Sequence, residues 1–371
     1  MIPLCIPEIR GNEWKYIKEC LDTNWVSSAG KYVDLFEERF KAYMESSQAV
    51  VTMNGTSAIH LALQVLGIGK GDEVIVPSMT FIASVNPILY VGADPVFVDV
   101  CKDTYVMDVS NVESLITEKT KAILPVHLYG NMVDMEPLME LAQKYNLYII
   151  EDATEGLGSV YKMNDETFKK AGTIGHIGCF SFNGNKLITT GAGGMLVTNN
   201  IDLGKKAKHL STQAKVIEEN KAFSHDDIGY NFRMPNILAA MGVAQLENIE
   251  EYISAKKEHA KVYDEALKNI KGICLSKELK NENRCPWLYS LVIQDDFGKS
   301  RDELILEMKR NHIETRPFFQ PIHKMKPYKS FRCGDLSVTE ELSSKGINLP
   351  SSVGLKKEQI QKVCEVMKLG L

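Results

Sequence analysis

The sequence lacks several patterns that would define a structural class, and each absence narrows the candidates. No uninterrupted apolar segment approaches the ~20 residues that a membrane-spanning helix needs. The eight cysteines are scattered without a Cys-x-x-Cys pair, which argues against a zinc ribbon and against a disulfide framework. The eight histidines show no spacing typical of metal ligands, so we expect no metal site.

A strong charge of one sign is also missing. The 43 Lys and Arg residues stand against 48 Asp and Glu residues, giving a net charge of −5 without any basic block. Nucleic acid is therefore not an expected partner. The first residues show no basic region followed by an apolar run, and scattered thiols are typical of a reducing compartment. We expect a soluble, cytoplasmic protein without a cleaved leader and without membrane association.

Strand and helix patterns alternate regularly from residue 49 to residue 151. This alternation predicts an α/β fold with a mainly parallel, doubly wound sheet flanked by helices. Ligands of such sheets bind at the carboxyl ends of the strands. The predicted strands are 49–52, 73–77, 95–100, 122–128 and 147–151, and the predicted helices are 58–66, 82–90, 109–118 and 135–145.

The pattern changes after Pro235. Helical spacing continues through Lys261, which predicts a long helix leading into a second domain. Beyond it the sequence predicts a strand at 287–293 and helices at 301–309 and 358–367. We therefore expect a large domain over residues 1–250, including the N-terminal segment, and a smaller α+β domain over residues 251–371.

Lys186 is the residue that we expect to carry the chemistry. It stands between two β-prone apolar runs, 176–182 and 195–198, in a connection rich in glycine. A lysine presented on such a turn and partly desolvated can act as an amine nucleophile and form a Schiff base with an aldehyde. The alternative is a solvated loop lysine, and the neighbouring motifs decide between the two.

Four further features are predicted to share the sheet edge with Lys186. The Gly-Thr-Ser run at 55–57 begins a helix and offers backbone N–H groups and hydroxyls that suit a phosphate, although an ordinary N-cap explains it equally well. Asp152 follows an apolar strand, and a buried carboxylate there needs a cationic partner. Phe81 and the segment 127–131 follow two other strands.

These pieces fit pyridoxal 5′-phosphate. That cofactor needs a lysine for its aldehyde, a carboxylate for its ring nitrogen, a phosphate cup and an aromatic support for its ring. The residues that would supply them are, in that order, Lys186, Asp152, Gly55, Thr56 and Ser57 together with Ser181, and Phe81.

With these motifs the sequence resembles the DegT/DnrJ/EryC1/StrS family of pyridoxal-phosphate-dependent sugar aminotransferases over essentially its full length. The resemblance implies the fold of type I pyridoxal-phosphate enzymes. The motifs that carry it are, in chain order, WVSSAG at 25–30, NGTSA at 54–58, PSMTF at 77–81, EDA at 151–153, SFNGNK at 181–186, GYNFRM at 229–234 and RPFF at 316–319.

The resemblance implies roles for further residues. Asn183 would belong to the cofactor site, and Glu155 would face the ring hydroxyl, where family members often carry Gln or His. Asn231 would reach the phosphate of the other subunit, which implies a homodimer with shared active sites; a cap of the helix entered at Pro235 is the alternative. The expected substrate-binding residues are Trp25, Ser27, Arg233, Arg316 and His323. The alternatives are a tryptophan packed over a helix for Trp25 and a packed surface imidazole for His323.

The resemblance also implies the reaction. An amino group would pass from L-glutamate to the keto group of a nucleotide-linked sugar. The EDATE motif at 151–155, NGNK at 183–186 and STQAK at 211–215 resemble the branch that aminates C4 of UDP-4-keto-6-deoxy-N-acetylglucosamine for bacillosamine and legionaminic acid glycans. The alternatives are a GDP-linked or dTDP-linked keto-sugar, a sugar dehydratase, which would carry histidine in place of Lys186, and a non-catalytic regulatory relative.

Overall fold

The computed structural model describes residues 1–218 and 221–368. Its largest sheet has seven strands in the order β1-β9-β8-β5-β4-β2-β3. A second sheet has four strands in the order β12-β14-β16-β15. The strands are β1 (Gln48–Thr52), β2 (Glu73–Pro77), β3 (Asp94–Val98), β4 (Thr120–Ile123), β5 (Tyr148–Asp152), β6 (Val160–Lys162), β7 (Phe168–Lys170), β8 (Ile177–Ser181), β9 (Gly194–Thr198), β10 (Lys215–Glu218), β11 (Lys221–His225), β12 (Ile273–Leu275), β13 (Glu282–Asn283), β14 (Tyr289–Ile293), β15 (Arg316–Pro317) and β16 (Gly346–Leu349).

Helices pack around both sheets. One large buried core joins the seven-stranded sheet to its helices, and a second core joins the four-stranded sheet to α8, α9 and α11. The helices are α1 (Glu13–Asp22), α2 (Lys31–Met44), α3 (Gly55–Val65), α4 (Asn86–Tyr90), α5 (Met135–Tyr145), α6 (Ile201–Ser211), α7 (Asn236–Leu246), α8 (Ile249–Leu267), α9 (Arg301–Arg310), α10 (Ser337–Lys345) and α11 (Lys357–Lys368). Within the described ranges, no helix is both long enough and apolar enough to cross a bilayer.

The direction of the strands brings their ends together. β5 pairs in parallel with β4 and β8, and β2 pairs in parallel with β3 and β4. β9 alone runs antiparallel, to both β1 and β8. The carboxyl ends of β1, β2, β4, β5 and β8 therefore meet at one edge. The predicted mainly parallel sheet flanked by helices is confirmed.

Three predicted helices are wrong in extent. Residues 82–90 form a 3₁₀ turn and the short α4, because Pro87 has no N–H to donate within a helix. Residues 109–118 form only two 3₁₀ turns. The Asp108 side chain caps the first by accepting from the Ser110 N–H, and the second ends at Ile116, whose backbone is extended. The long helix from Pro235 is divided into α7 and α8 at residues 247–248.

Candidate active site

Lys186 lies in the connection between β8 and β9. Its Nζ is 3.2 Å from Glu155 Oε1 and 3.9 Å from the ring centroid of Trp287. Only 13% of its side chain is exposed. The Lys186 N–H donates to the Asn183 carbonyl at 2.9 Å, which closes the turn. The amine is therefore largely shielded from water and faces one carboxylate and one aromatic ring, unlike the amine of a solvated loop lysine.

Glu155 is a buried carboxyl that follows the end of β5. Its Oε2 accepts from the Tyr129 N–H at 2.9 Å, while Oε1 faces Lys186. Burial raises the pKa of Glu155, and the nearby Lys186 ammonium acts against that rise. Both oxygens of this carboxyl are thus engaged, one by the backbone and one by the lysine.

Asp152 ends β5 with its side chain buried. Oδ2 accepts from Ser84 Oγ at 2.6 Å, and Oδ1 accepts from the Thr154 N–H at 3.1 Å. Among residues 1–218 and 221–368, no Lys, Arg or His side chain forms an ion pair with Asp152. A buried carboxylate without a cation is costly, so a positively charged group of a ligand would complete this site.

The first turn of α3 lies beside the same strand ends. Asn54 caps the helix, because its Oδ1 accepts from the Ser57 N–H at 2.8 Å. Thr56 and Ser57 are therefore not the cap, and their hydroxyls make no hydrogen bond within the described chain. The remaining N–H groups of this turn and two hydroxyls are available to an anion.

Gly55 brings three segments into contact. A Cβ at this position would lie 2.9 Å from Ser181 Cβ and 3.0 Å from Thr154 Cγ2. The start of α3, the end of β8 and the loop after β5 are thus packed so closely that only glycine fits. Asn183, two residues beyond β8, is exposed and donates its N–H to Ser181 Oγ at 3.4 Å.

We predict that Gly55→Ala separates these segments. The free energy of unfolding should fall by about 1–3 kcal/mol, as for other overpacked sites, and the affinity for pyridoxal 5′-phosphate should fall with it. Urea denaturation and a cofactor titration measure the two effects. The matched control is Gly184→Ala in the lysine connection, where an added Cβ meets nothing within 4 Å. Equal stability of the two variants would contradict this packing.

Phe81 belongs to a row of four aromatic rings. The residue is 55% exposed, and its ring centroid lies 5.8 Å from that of Phe319. Phe319 stacks on Tyr129 at 5.7 Å, and Tyr129 stacks on Trp287 at 6.5 Å. We call these four residues the aromatic row. It runs from Phe81, after β2, to Trp287, whose ring meets Lys186. An open ring at one end and a lysine at the other suit a flat aromatic ligand.

Tyr129 holds its place at the cost of backbone strain. Its φ of 57° lies in the left-handed region, which is uncommon for a non-glycine residue. Two hydrogen bonds maintain it: its N–H donates to Glu155, and its carbonyl accepts from the Trp287 N–H at 2.9 Å. Such strain is found mainly at functional sites.

Trp25 and Ser27 lie in a second group of predicted residues. The side chain of Asn236, at the start of α7, donates to the Trp25 carbonyl at 2.7 Å, and its N–H donates to the Ser27 carbonyl at 2.7 Å. The Trp25 side chain is 57% exposed, so it is not packed away over a helix. This turn is therefore anchored on α7.

Asn231 and Arg233 precede the same helix. Asn231 is exposed and forms an isolated antiparallel bridge with Thr212. It does not cap α7, since Pro235 occupies the N-cap position. Arg233 Nε is buried and has no hydrogen-bond partner in the described part of the chain. No hydrogen bond within those residues joins this second group to Lys186, Glu155 or Asp152.

Arg316 and His323 lie close together in the chain, in β15 and in the 3₁₀ turn that follows it. Arg316 is exposed in β15, and its Nη2 is 3.4 Å from Glu314 Oε1. His323 Nδ1 is 2.7 Å from Ser78 Oγ, and its Nε2 is 3.2 Å from Glu340 Oε1. Both ring nitrogens of His323 are thus already engaged. The imidazole ties this turn to the end of β2, three residues before Phe81.

Three residues of the site are not singled out by the sequence: Ser84, Tyr129 and Trp287. Tyr129 lies in the segment 127–131, which the sequence places after a strand without indicating a role for this residue. Ser84 and Trp287 carry no local signal. Ser84 lies where the sequence predicts an ordinary helix, but its side chain contacts Asp152. Trp287 lies about 100 residues after Lys186 in the chain, and the two meet only because distant segments pack together.

The residues present fit pyridoxal 5′-phosphate. A shielded lysine amine, a buried carboxylate that lacks a cation, an open helix start with two free hydroxyls and an exposed aromatic ring share one sheet edge. Each matches one chemical part of the cofactor, namely the aldehyde, the pyridine nitrogen, the phosphate and the ring face.

Comparison with known proteins agrees with this arrangement. Residues 7–368 match the DegT/DnrJ/EryC1/StrS aminotransferase family. The GDP-perosamine synthase of Escherichia coli O157:H7 is 45% identical over 98% of this chain and 97% of its own. That of Caulobacter vibrioides is 41% identical over 98% of this chain and 96% of its own.

Solved structures show the same fold. PseC of Helicobacter pylori, an aminotransferase involved in the biosynthesis of pseudoaminic acid, superposes with a TM-score of 0.92. It is 27% identical, and the match covers 99% of this chain and 98% of that one. The chain belongs to the DegT/DnrJ/EryC1/StrS aminotransferase family and is a pyridoxal-phosphate-dependent aminotransferase of sugar nucleotides.

Proposed function

We propose that the enzyme transfers an amino group from L-glutamate to C4 of a GDP-linked 4-keto-6-deoxy sugar. The observation that carries this proposal is the 45% identity, over 98% of the chain, to an enzyme named GDP-perosamine synthase. Such an enzyme is a 4-aminotransferase on a GDP-sugar. The GDP-linked alternative thus has better support than the UDP-linked N-acetylglucosamine derivative that the motifs at 151–155, 183–186 and 211–215 suggest.

Lys186 moves the protons in this proposal. Pyridoxal 5′-phosphate supplies, when bound, a conjugated ring that accepts the electron pair left by a broken C–H bond. Lys186 Nζ takes the proton from the α-carbon of glutamate as general base and gives it up as general acid. In the second half of the reaction the same amine delivers a proton to C4 of the sugar. Its low exposure keeps water from competing for these protons.

Two carboxyl groups have separate roles in this proposal, one at the ring nitrogen and one beside Lys186. Asp152, buried and held by Ser84 and the Thr154 N–H, would keep a proton on the ring nitrogen of the bound cofactor, because no cation among the described residues pairs with its charge. Glu155 orients Lys186 and would face the ring hydroxyl of the bound cofactor. The aromatic row would support the ring through Phe81.

The remaining site residues are part of the same proposal. The proposed cofactor-binding residues are Gly55, Thr56, Ser57, Phe81, Asp152, Glu155, Ser181, Asn183, Lys186 and Asn231. The proposed substrate-binding residues are Trp25, Ser27, Arg233, Arg316 and His323. For His323, binding a substrate oxygen requires that Nε2 leave Glu340 or Nδ1 leave Ser78.

The assembly and the division of the chain are part of the same proposal. Asn231 is exposed and does not cap α7, which leaves its side chain able to reach a second subunit of a homodimer. The large cofactor-binding domain over residues 1–250 and the small domain over 251–371 stay predictions. The second core, around the four-stranded sheet, supports the small domain, while the first core also includes Trp287 and Phe318. A cytoplasmic location and a role in glycan or lipopolysaccharide synthesis stay predictions.

We predict that the purified enzyme distinguishes nucleotide sugars. With L-glutamate and pyridoxal 5′-phosphate, it should aminate GDP-4-keto-6-deoxymannose with kcat/KM at least about 10²-fold higher than for UDP-4-keto-6-deoxy-N-acetylglucosamine. A site that forms hydrogen bonds to one substrate leaves its polar groups unpaired when another substrate binds, which lowers the rate. Mass spectrometry of the amino sugar and release of 2-oxoglutarate measure the two rates.

The outcomes of this comparison are distinct. Preference for the UDP-linked ketone would overturn the GDP proposal and restore the UDP-linked alternative. Turnover of neither ketone, with 2-oxoglutarate still formed once from glutamate, would show that the acceptor is a different keto-sugar. The same reactions with dTDP-4-keto-6-deoxyglucose control for a general tolerance of nucleotides.

A further inference from the structure

Each polar atom of Trp287 forms a hydrogen bond that fixes the position of the residue. Its N–H donates to the Tyr129 carbonyl at 2.9 Å, and its indole Nε1 donates to the Asn185 carbonyl at 2.7 Å. Its own carbonyl accepts from Lys256 Nζ at 2.6 Å. The residue is 6% exposed, and its ring stacks on Tyr129 with an interplanar angle of 18°. This indole has little freedom to move.

Lys256 holds the backbone of Trp287 in place. Its side chain lies in α8 and is buried, and Nζ donates to the carbonyls of Trp287 and Ser351. In the part of the chain that the structure describes, no Asp or Glu pairs with it. A buried ammonium that is satisfied by backbone carbonyls fixes those carbonyls firmly, since releasing them would leave the charge unsolvated.

The Trp287 ring lies against the amine of Lys186, the proposed acid–base group. Lys186 Nζ lies 3.9 Å from the ring centroid of Trp287 and 3.2 Å from Glu155 Oε1. An ammonium over a tryptophan face is attracted by the ring quadrupole, and the attraction grows when water is excluded. The Trp287 Nε1 bond to Asn185 also fixes the residue next to Lys186 in the chain. The ring therefore acts on the side chain and on the backbone of this lysine.

We infer that Trp287 is a positioning residue that holds the free amine of Lys186 beside Glu155 between its two proton transfers. The inference rests on the proposed role of Lys186. Proton transfer depends steeply on placement, and an error of about 1 Å costs about 10²-fold in rate. Without the indole, the amine would pair with Glu155 in several geometries and would be open to solvent.

The test uses Trp287→Leu, which removes the ring face, and Trp287→Phe, which keeps a face but not the bond to Asn185. Trp14→Leu, a change of a 75% exposed tryptophan in α1, is the control. In the cofactor-free protein, reductive methylation of Lys186 is followed by mass spectrometry relative to Lys271, whose side chain is 80% exposed. We expect methylation of Lys186 to be faster by about threefold or more in Trp287→Leu, intermediate in Trp287→Phe and unchanged in the control.

A second measurement uses the holoenzyme. The rate of the half-reaction with glutamate should fall about 10-fold to 100-fold in Trp287→Leu, and the isotope effect of α-deuterated glutamate should increase, because proton transfer becomes the slow step. The KM for glutamate should change little. Trp287→Phe should recover part of the rate, and thermal unfolding checks that each variant folds.

Unchanged methylation of Lys186 together with an unchanged isotope effect in Trp287→Leu would overturn the inference. A slow variant with a normal isotope effect would also contradict it, because that result is expected of a merely structural residue. A failure of the proposed function is distinguishable: the wild-type enzyme would then form no 2-oxoglutarate, while the methylation experiment in the cofactor-free protein would still report whether Trp287 covers Lys186.

Discussion

Replacement of Lys186 by alanine is expected to lower kcat/KM for amino transfer by about 10³–10⁴-fold, which is the upper range for loss of a general acid–base group. The reason is geometric. Lys186 Nζ is 3.2 Å from Glu155 Oε1 at the sheet edge where the strands end, and no other lysine amine pairs with Glu155 or Asp152 in the described residues. Assay of 2-oxoglutarate formation with saturating cofactor measures the loss.

Two controls sharpen this result. Lys271→Ala removes a lysine whose side chain is 80% exposed and should leave the rate unchanged. Lys186→Arg keeps the positive charge beside Glu155 but supplies an acid–base group that stays protonated, so it should be nearly as slow as the alanine variant. Retention of more than about one tenth of the activity by either Lys186 variant would show that another group moves the protons.

Replacement of Asp152 by asparagine is expected to lower kcat by about 10²–10³-fold, as for removal of one preorganised electrostatic contact in other active sites. The amide has nearly the same shape and can still bond to Ser84 and the Thr154 N–H, so the fold should persist. What is lost is the negative charge that stabilises a protonated ring nitrogen, without which the ring is a weaker electron acceptor.

Stopped-flow absorbance of the cofactor after addition of glutamate measures this step directly. The matched control is Asp94→Asn, which changes an exposed aspartate at the amino end of β3, the opposite edge of the same sheet. A half-reaction of unaltered rate in Asp152→Asn would contradict the assignment. A loss of cofactor binding alone, with a normal rate at saturation, would reduce Asp152 to an anchoring role.

The sequence was sufficient for the local parts of the site. The apolar run before Asp152 predicts a strand that ends at a carboxylate, and the structure places Asp152 at the end of β5. The Gly-Thr-Ser run predicts a helix start, and α3 begins at Gly55. Alternation of short buried strands with helices predicts the mainly parallel sheet. Each of these depends on neighbouring residues in the chain, so the periodicity of the pattern reveals it.

The contacts between distant segments could not be predicted in this way. Ser84 bonds to Asp152 because Pro87 prevents a regular helix there and a 3₁₀ turn presents the hydroxyl. Trp287 reaches Lys186 through its bonds to Tyr129 and Asn185. Such contacts are set by how distant segments of the chain pack within the large core, and no periodic pattern records that packing.

The central claim is that Lys186 is the residue to which pyridoxal 5′-phosphate is attached. The most direct measurement is reduction of the holoenzyme with borohydride, followed by proteolysis and mass spectrometry of the labelled peptide. We predict one phosphopyridoxyl group per chain, located on Lys186, and none on Lys256, which is engaged by two backbone carbonyls. A label on any other lysine, or no label on a protein saturated with cofactor, would contradict the account.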